Sequence, residues 1–513
     1  MIHTQRPPSV SGSIDDPLAA VLRPSPGESP HDKELRLQRE ADAKRISDRI
    51  DEQLSIDRER YKKSKQDVRL LLLGQAESGK STLQKQFQLM YNPTSLEEER
   101  ISWRAVIYFN IMRPVRRIFE GLDAFGDSDD DDDLDLPGSS KIIASSSDLT
   151  QLSPELTASG SSSSPLSPAS AAAEDAQIAL LRSKLSPLLA AESSLADRLS
   201  GGLNVAGSGK GNVYVRSGWQ ARSLNLPFGR SRSRGDSVTG GRTSISAARS
   251  SLDNPPTGAG GDLLIEEVAR LVDQSKDDIK QLWQHPAVRR LRARRKLRLE
   301  EWAEFFMDNI TRVCSSGYVP TTDDILHARI QTMGVAEHIF DVAVHGRVVT
   351  WHLFDVGGAR GQRHTWIPFF DDANAIIFLA PVSAYDQYLE EDPRTNRIDD
   401  SLQLFTQICS NPLLKKVHLV LFLNKTDVLQ KKLSRGIRVK KYITSYGDRP
   451  QEFESVVNYF KAHFTQAHKR NNENKRVLYT HLTSVVDTKA TKSIITNVSD
   501  SIFRKYLEDA ALV

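Results

Sequence analysis

The sequence predicts an α/β protein in which a mostly parallel sheet covered by helices is interrupted by an all-α insertion. Three observations predict it. A glycine-rich loop sits between an apolar run and a helical segment near residue 74; apolar strands alternate with helical stretches after Thr321; and a helix-rich block from Leu83 to Val313 separates the two. The sheet domain is therefore expected over 67–90 and 320–513, and the helical domain over 91–319.

Bulk properties bound the rest. A chain of 513 residues exceeds what one ordinary core holds. With 39% hydrophobic and 26% charged residues it is close to a globular average, while a mean hydropathy of −0.43 points to a sizeable polar segment. The net charge of +3 provides no global basic field, so no nucleic-acid partner is expected. Cys314 and Cys409 are far apart and form no CxxC, which argues against a zinc site or a disulfide framework. The start, MIHTQRPPSV, lacks an apolar leader, and no run of about 18 apolar residues occurs.

Residues 1–30 are rich in Pro and Ser and read as a disordered lead-in. The stretch 31–66 is dense in charge and free of Gly and Pro, which predicts a long solvated helix with a thin apolar stripe of Leu35, Ile46, Ile50 and Leu54. That stripe suits either docking to another chain or plain solvation. DVRLLLL (67–73) predicts a strand, and STLQKQFQLMY a helix after the glycine-rich turn. ISWRAVIYFNIMRPVRRIFEGL continues as helix. Between 126 and 261, tracts such as SGSSSSPLSPAS and RSRSRGDSVTGGRTS cannot bury enough apolar surface to offset ordering entropy, so this span reads as a largely disordered low-complexity insertion. One part is different: AQIALLRSKLSPLLAAESSLADRL has helical apolar spacing and is expected to pack on neighbouring helices. Helices resume at Asp262, with a basic run from Arg289 to Arg298 read as a solvated face. HGRVVTWHLFDVGG, ANAIIFLAPV and VHLVLFLNKTD are then the strands of the sheet.

Three motifs carry chemistry. Gly74 to Ser81, GQAESGKS, satisfies GxxxxGK[ST] between strand and helix. Backbone amides of such a loop wrap phosphates, Lys80 reaches the β and γ groups, and the Ser81 hydroxyl suits Mg²⁺. Asn424, Lys425, Thr426 and Asp427 give NKxD at a strand end, where the Asp427 carboxylate can accept two hydrogen bonds from guanine N1 and N2, a donor pair adenine lacks. Between them Asp355 ends a strand in a Walker B position, followed by Gly357 and Gly358, whose backbone can approach a γ-phosphate. Taken alone, DVGG also reads as an Asx turn. A P-loop kinase would keep the first motif but have no use for NKTD.

In this order, with a large helical insertion after the first motif, the chain resembles the α subunits of heterotrimeric G proteins over about Asp32–Leu122 and Asp262–Val513. GQAESGKST is similar to that family's GAGESGKST, YVPTTDDILHARIQTMG to its first switch DxLRxRxxTTG, and LYTHLTSVVDT to its YTHFTCATDT guanine cap. The resemblance implies a Ras-like P-loop GTPase domain interrupted by an all-α domain, with GTP or GDP and Mg²⁺ as ligands. It makes Arg329 a built-in arginine finger with Glu77 nearby, Thr332 a second protein ligand of Mg²⁺ beside Ser81, and Asp355 a ligand through water. Gly74, Glu77, Ser78, Gly79, Lys80, Thr82, Leu326, Gly357, Gly358, Asn424, Lys425, Asp427 and Val485 complete the implied nucleotide site. YLEEDPRTNRIDDSLQLFTQIC resembles the third switch. Implied partners are a βγ dimer on the N-terminal helix, a G protein-coupled receptor at the C-terminal tail, and a downstream effector. The implied location is cytoplasmic, peripheral at the inner face of the plasma membrane.

Several departures accompany the match. The second switch reads DVGGARGQRHTW against DVGGQRSERKKW, so Ala359 stands where the family has the glutamine that orients the attacking water. A methyl group neither donates nor accepts a hydrogen bond, which predicts slow hydrolysis. Gln362 lies three residues on. Ala76 replaces a phosphate-loop glycine, His327 and Met333 differ in the first switch, and Ile2 stands where N-myristoylation needs glycine, so no N-terminal lipidation motif is found.

Overall fold

The computed structural model describes residues 29–64, 67–125, 168–201, 213–215, 219, 263–297, 299–344, 346–472 and 476–509. The chain divides into two units, residues 1–67 and 68–513. The first contributes one 35-residue helix, Pro30–Ser64, close to the span its composition predicts. Leu35, Ile46, Ile50 and Leu54 are all exposed on it.

Within the second unit, the strands are β1 (Val68–Leu73), β2 (Tyr214–Val215), β3 (Gln331–Thr332), β4 (Val335–Val344), β5 (Arg347–Val356), β6 (Ala375–Pro381), β7 (His418–Asn424) and β8 (Leu478–Thr483). Six of them form a sheet in the order β4-β5-β1-β6-β7-β8. The β4–β5 hairpin is antiparallel, and every other pairing is parallel. The apolar runs of β1, β6 and β7 fit central strands covered on both faces. Successive residues of β1 point to opposite sides: Leu70 and Leu72 pack with Leu83, Phe87 and Ile495, while Leu71 and Leu73 pack with Phe378, Phe405 and Leu421.

Register decides where the loops fall. Leu72 pairs with Asp355, Leu73 with Phe378, Pro381 with Asn424, and Asn424 with Thr483. The carboxyl ends of β1, β5, β7 and β8 therefore lie along one edge, the position at which open α/β sheets take ligands.

A separate apolar core belongs to the helices between β1 and β3. Helix Trp103–Phe125 buries Ile107, Ile111, Val115 and Ile118 against Val268, Val272 and Ile279 of helix Leu263–Gln284. Helix Pro168–Ser200 joins them from inside the low-complexity span, burying Leu181, Leu185, Leu188, Leu195 and Leu199. This is the expected exception at its expected place. The rest of 126–261 lies outside the described residues apart from 201, 213–215 and Trp219. Ile325 and Ala328 also pack into this core, so the helical packing runs past residue 319.

The basic run is more engaged than a solvated face. Arg290 pairs with Glu174 at 2.5 Å, and the Arg292 guanidinium lies 3.7 Å from the centre of the Trp283 ring. No described helix is long and apolar enough to cross a membrane.

Because Leu185 is fully buried, truncating it should leave a cavity in the helical core. Leu185→Ala is expected to cost about 2–5 kcal/mol in chemical denaturation. A loss under about 0.5 kcal/mol, the size of an exposed-site change, would show that the helix is not packed there.

Candidate functional site

The loop between β1 and helix Lys80–Tyr91 turns on two left-handed glycines, Gly74 (φ 142°) and Gly79 (φ 104°). Neither tolerates a side chain: a Cβ on Gly74 would lie 2.5 Å from the Leu379 carbonyl oxygen, and one on Gly79 2.4 Å from Asn424 Nδ2. Lys80 folds back over the loop and donates to the carbonyls of Gly74 (2.9 Å) and Gln75 (2.7 Å). Burial pulls its ammonium down to about 7, against the pull of the Asp355 carboxylate. The loop thus closes two carbonyls on a buried lysine at the N-terminus of a 12-residue helix, where helix N–H groups are free to meet an anion.

Three oxygens converge beside it. Ser81 Oγ lies 3.0 Å from Thr332 Oγ1, and both hydroxyls donate to Asp355 Oδ2, at 2.6 and 3.1 Å. Asp355 Oδ1 is buried with no hydrogen-bond partner among the described residues. Two hydroxyls and a carboxylate with an uncommitted oxygen make a hard donor set, which fits Mg²⁺. Sequence reasoning assigned these same three residues to the ion. Gly358 comes close enough to the loop that a Cβ would lie 2.5 Å from both the Ala76 nitrogen and Lys80 Nζ.

Glu77 joins three segments. Its carboxylate pairs with Arg329 at 2.8 Å and with Arg397 at 2.7 Å. Burial alone would raise its pKa, but Arg329, Arg397 and Lys425 hold it well below the usual carboxylate range. The Arg329 backbone is fixed from the helical side, where Asn110 accepts from its N–H (2.6 Å) and donates to its carbonyl (2.9 Å). Its guanidinium lies 5.1 Å from the Trp302 ring. Arg397, first residue of helix Arg397–Ser410, also donates to Gln75 Oε1 (2.9 Å) and the Ala76 carbonyl (2.5 Å). Asn110 carries no local sequence signal, and Arg397, although it lies in the segment that resembles the third switch, was not among the predicted site residues. Each lies outside the three motifs and enters by long-range packing.

At the other end, Asn424 ties two loops: Nδ2 donates to the Ser78 carbonyl (2.7 Å), and Oδ1 accepts from Thr483 Oγ1 (3.0 Å) and the Val485 N–H (3.2 Å). Lys425 pairs with Glu301 from the helical side. Glu301 is drawn down to about 2, the lysines outweighing the opposing effect of its burial. Asp427 lines the same cleft, together with Gly79, Lys80, Thr82, Leu326, Thr332, Gly357, Ala359 and Val485. Its volume is about 900 Å³, ample for a nucleotide. Every predicted site residue except Gly74 and Ser78 lines it, and those two shape the loop beneath.

One contributor comes from the span read as low complexity. β2 pairs in parallel with β3, Tyr214 opposite Gln331 and Val215 opposite Thr332, and the Met333 N–H donates to the Val215 carbonyl at 2.9 Å. Trp219 is buried edge-on against Trp103, ring centres 5.0 Å apart. NVYVRSGW is a short β-prone run in a Ser/Gly-rich tract, and that local contrast was the available signal.

Comparison with known proteins follows this geometry. The family model described as G-protein alpha subunit matches residues 44–502. The guanine nucleotide-binding protein alpha-4 subunit of Mycosarcoma maydis is 32% identical in an alignment 593 residues long that covers 100% of this chain and 98% of the relative. The alpha-17 subunit of Caenorhabditis elegans is 34% identical over 50% of this chain and 68% of its own. The G(o) subunit alpha of Geodia cydonium is 35% identical over 45% and 63%.

The helix Thr322–His327 that leads into Arg329 is held by Asp324, which completes a capping box with Thr321 and accepts from both arms of Arg312 (2.8 and 2.7 Å) and from Tyr318 Oη (2.8 Å). Burial opposes its charge, but these donors lower it to about 2 from an ordinary 3.8. A carboxyl depressed in the fold stabilises above its unfolded pKa, and that contribution fades as pH falls from about 4 toward about 2. Asp324→Asn is expected to lose about 1–3 kcal/mol at pH 7 and to flatten the acid limb of the stability curve. An unchanged acid limb would refute this.

Proposed function

The chain belongs to the G-protein α subunit family, and from that membership we infer a guanine-nucleotide-binding molecular switch that relays receptor signals, binding GTP and GDP with Mg²⁺ and hydrolysing GTP slowly. The observation that carries the reading is convergence: phosphate loop, hydroxyl–carboxylate cluster and NKxD segment face one cleft. In this reading Gly74 to Thr82 hold the phosphates and Lys80 neutralises the β and γ groups. Asp427 reads guanine, and Val485 caps the base from its backbone. Mg²⁺, held by Ser81 and Thr332 with Asp355 through water, would supply positive charge between the β- and γ-phosphates. Arg329 stabilises charge developing on the transferred phosphoryl group once it leaves Glu77, its partner at 2.8 Å. The segments that respond to the γ-phosphate are Arg329–Gly334 and Gly357–Trp366.

Slow hydrolysis follows from Ala359, which has no polar group with which to orient water. A nucleotide-holding scaffold with little turnover is the second reading, favoured by the same residue. The domain limits proposed are 67–90 with 320–513 for the Ras-like part and 91–319 for the helical part. The partners proposed are a βγ dimer on the helix Pro30–Ser64, a receptor and an effector, at the cytoplasmic face of the plasma membrane.

Binding of GTPγS combined with single-turnover GTP hydrolysis tests this function. GTPγS should bind in competition with GDP and not ATP, and Ala359→Gln should raise the hydrolysis rate. Displacement by equimolar ATP would remove the guanine assignment, and a wild-type rate equal to that of ordinary family members would remove slow hydrolysis.

The β2–β3 pairing braces the first switch from the side of the insertion. Combining Val215→Asp with Trp219→Ala should therefore speed GDP release severalfold, followed with a fluorescent GDP analogue. An unchanged release rate would mean that the brace does not hold the nucleotide-binding conformation.

A further inference from the structure

We propose that Gln362 supplies the water-orienting amide that Ala359 lacks, and so carries whatever GTP hydrolysis this chain performs. The proposal deepens the functional reading above and rests on it.

The segment after Gly358 is a 3-10 helix, Arg360–Phe369, capped by Ala359, and the Gln362 N–H donates to the Ala359 carbonyl at 2.9 Å. Ala359 is the extended residue before the turn (φ −62°, ψ 147°), and Gln362 is the third residue of the 3-10 winding that follows. Its amide reaches back over Gly357, where an added Cβ would lie 1.7 Å from Gln362 Oε1 and 2.8 Å from Cδ. Only a glycine there admits the amide. Gly357 is itself fixed on both sides, its N–H donating to the Gly334 carbonyl (2.8 Å) and its carbonyl accepting from Trp366 Nε1 (2.9 Å).

The amide is also uncommitted. Gln362 Oε1 and Nε2 are buried and have no hydrogen-bond partner among the described residues, although the side chain lines the cleft with Lys80, Thr332, Asp355 and Gly358. A buried amide without partners calls for an explanation, and a substrate water with a γ-phosphate oxygen supplies one acceptor and one donor. Its backbone is anchored independently: Arg363 pairs with Asp400 through both arms (3.1 and 2.5 Å), and Arg360 reaches the same carboxylate (3.0 Å). The turn that presents Gln362 is therefore held from outside the cleft, as positioning to about half an ångström demands.

In the step, Oε1 accepts a hydrogen bond from the attacking water and Nε2 donates to a γ-phosphate oxygen. The water oxygen forms a bond to γ-phosphorus, and the bond from phosphorus to the β,γ-bridging oxygen breaks with its electron pair remaining on GDP. The water's protons leave on the phosphate product and to solvent. The amide neither gains nor loses a proton.

The experiment is single-turnover hydrolysis by the full chain, with GTPγS binding measured on every variant. Gln362→Leu, which keeps bulk and removes the amide, is expected to lower the rate about tenfold or more while GTPγS still binds. Gln362→Asn, which withdraws the amide by one methylene, should do the same and serves as the second variant if the leucine fails to fold. Adding Ala359→Gln to either should restore turnover, showing that the site is intact. Equal rates in wild type and both variants would overturn the proposal while leaving nucleotide binding standing, and so would a wild type that binds GTPγS without measurable hydrolysis. Failure of wild type to bind GTPγS would overturn the functional reading and this inference together.

Discussion

Parallel pairing of β1 with β5 on one side and β6 on the other is the constraint from which the site follows. It puts the carboxyl ends of β1 and β5 next to each other, so that the phosphate loop leaves the sheet beside Asp355. Leu72 and Asp355 are direct neighbours across the ladder. The same pairing, continued through β6 to β7 and β8, brings Asn424 and Thr483 to the same edge. Residues from 76 to 485 then share one cleft because their strands end together, and no single segment could assemble it.

Charge holds the two sides of the cleft together. Glu77 and Glu301 are carboxylates enclosed by protein, and each stays ionised because cations meet it: Arg329 and Arg397 at Glu77, Lys425 and Lys432 at Glu301. Removing one partner from such a pair strands the other, which makes the arrangement sensitive to what enters. Asn110 fixes the Arg329 backbone from the helical side.

The insertion divides into parts of different character. Helix Pro168–Ser200 supplies five leucines to the helical core, while β2 and Trp219 reach β3 and the tryptophan at the start of helix Trp103–Phe125. A long insertion among the helices here acquires a structural attachment to the cleft. The segment after Gly358 shows a similar economy, with Asp400 collecting Arg360 and Arg363 and so fixing the turn between Ala359 and Trp366.

By itself the sequence determined the central strands β1, β5, β6 and β7, the helical stretches and the chemistry of the motifs, but not the edge strands β4 and β8, whose interspersed polar residues make no apolar run. The phosphate loop, the Ser81 hydroxyl, Asp355 and NKxD were legible because backbone conformation and ligand chemistry demand particular residues at short spacings, and the strands because apolar runs of that length fit a covered sheet. The helix of the insertion was legible from its 3.6-residue period. Tertiary structure alone decided which distant residues meet: Asn110 with Arg329, Arg397 with Glu77, β2 with β3, and the amide of Gln362 with Gly357. These contacts span from five to more than three hundred residues and depend on register, on burial and on how tightly one turn is wound. After Asp355 the sequence showed a lost glutamine at 359, whereas the folded turn brings the amide of another, Gln362, over Gly357, a contact set by how the segment winds and not by residue order.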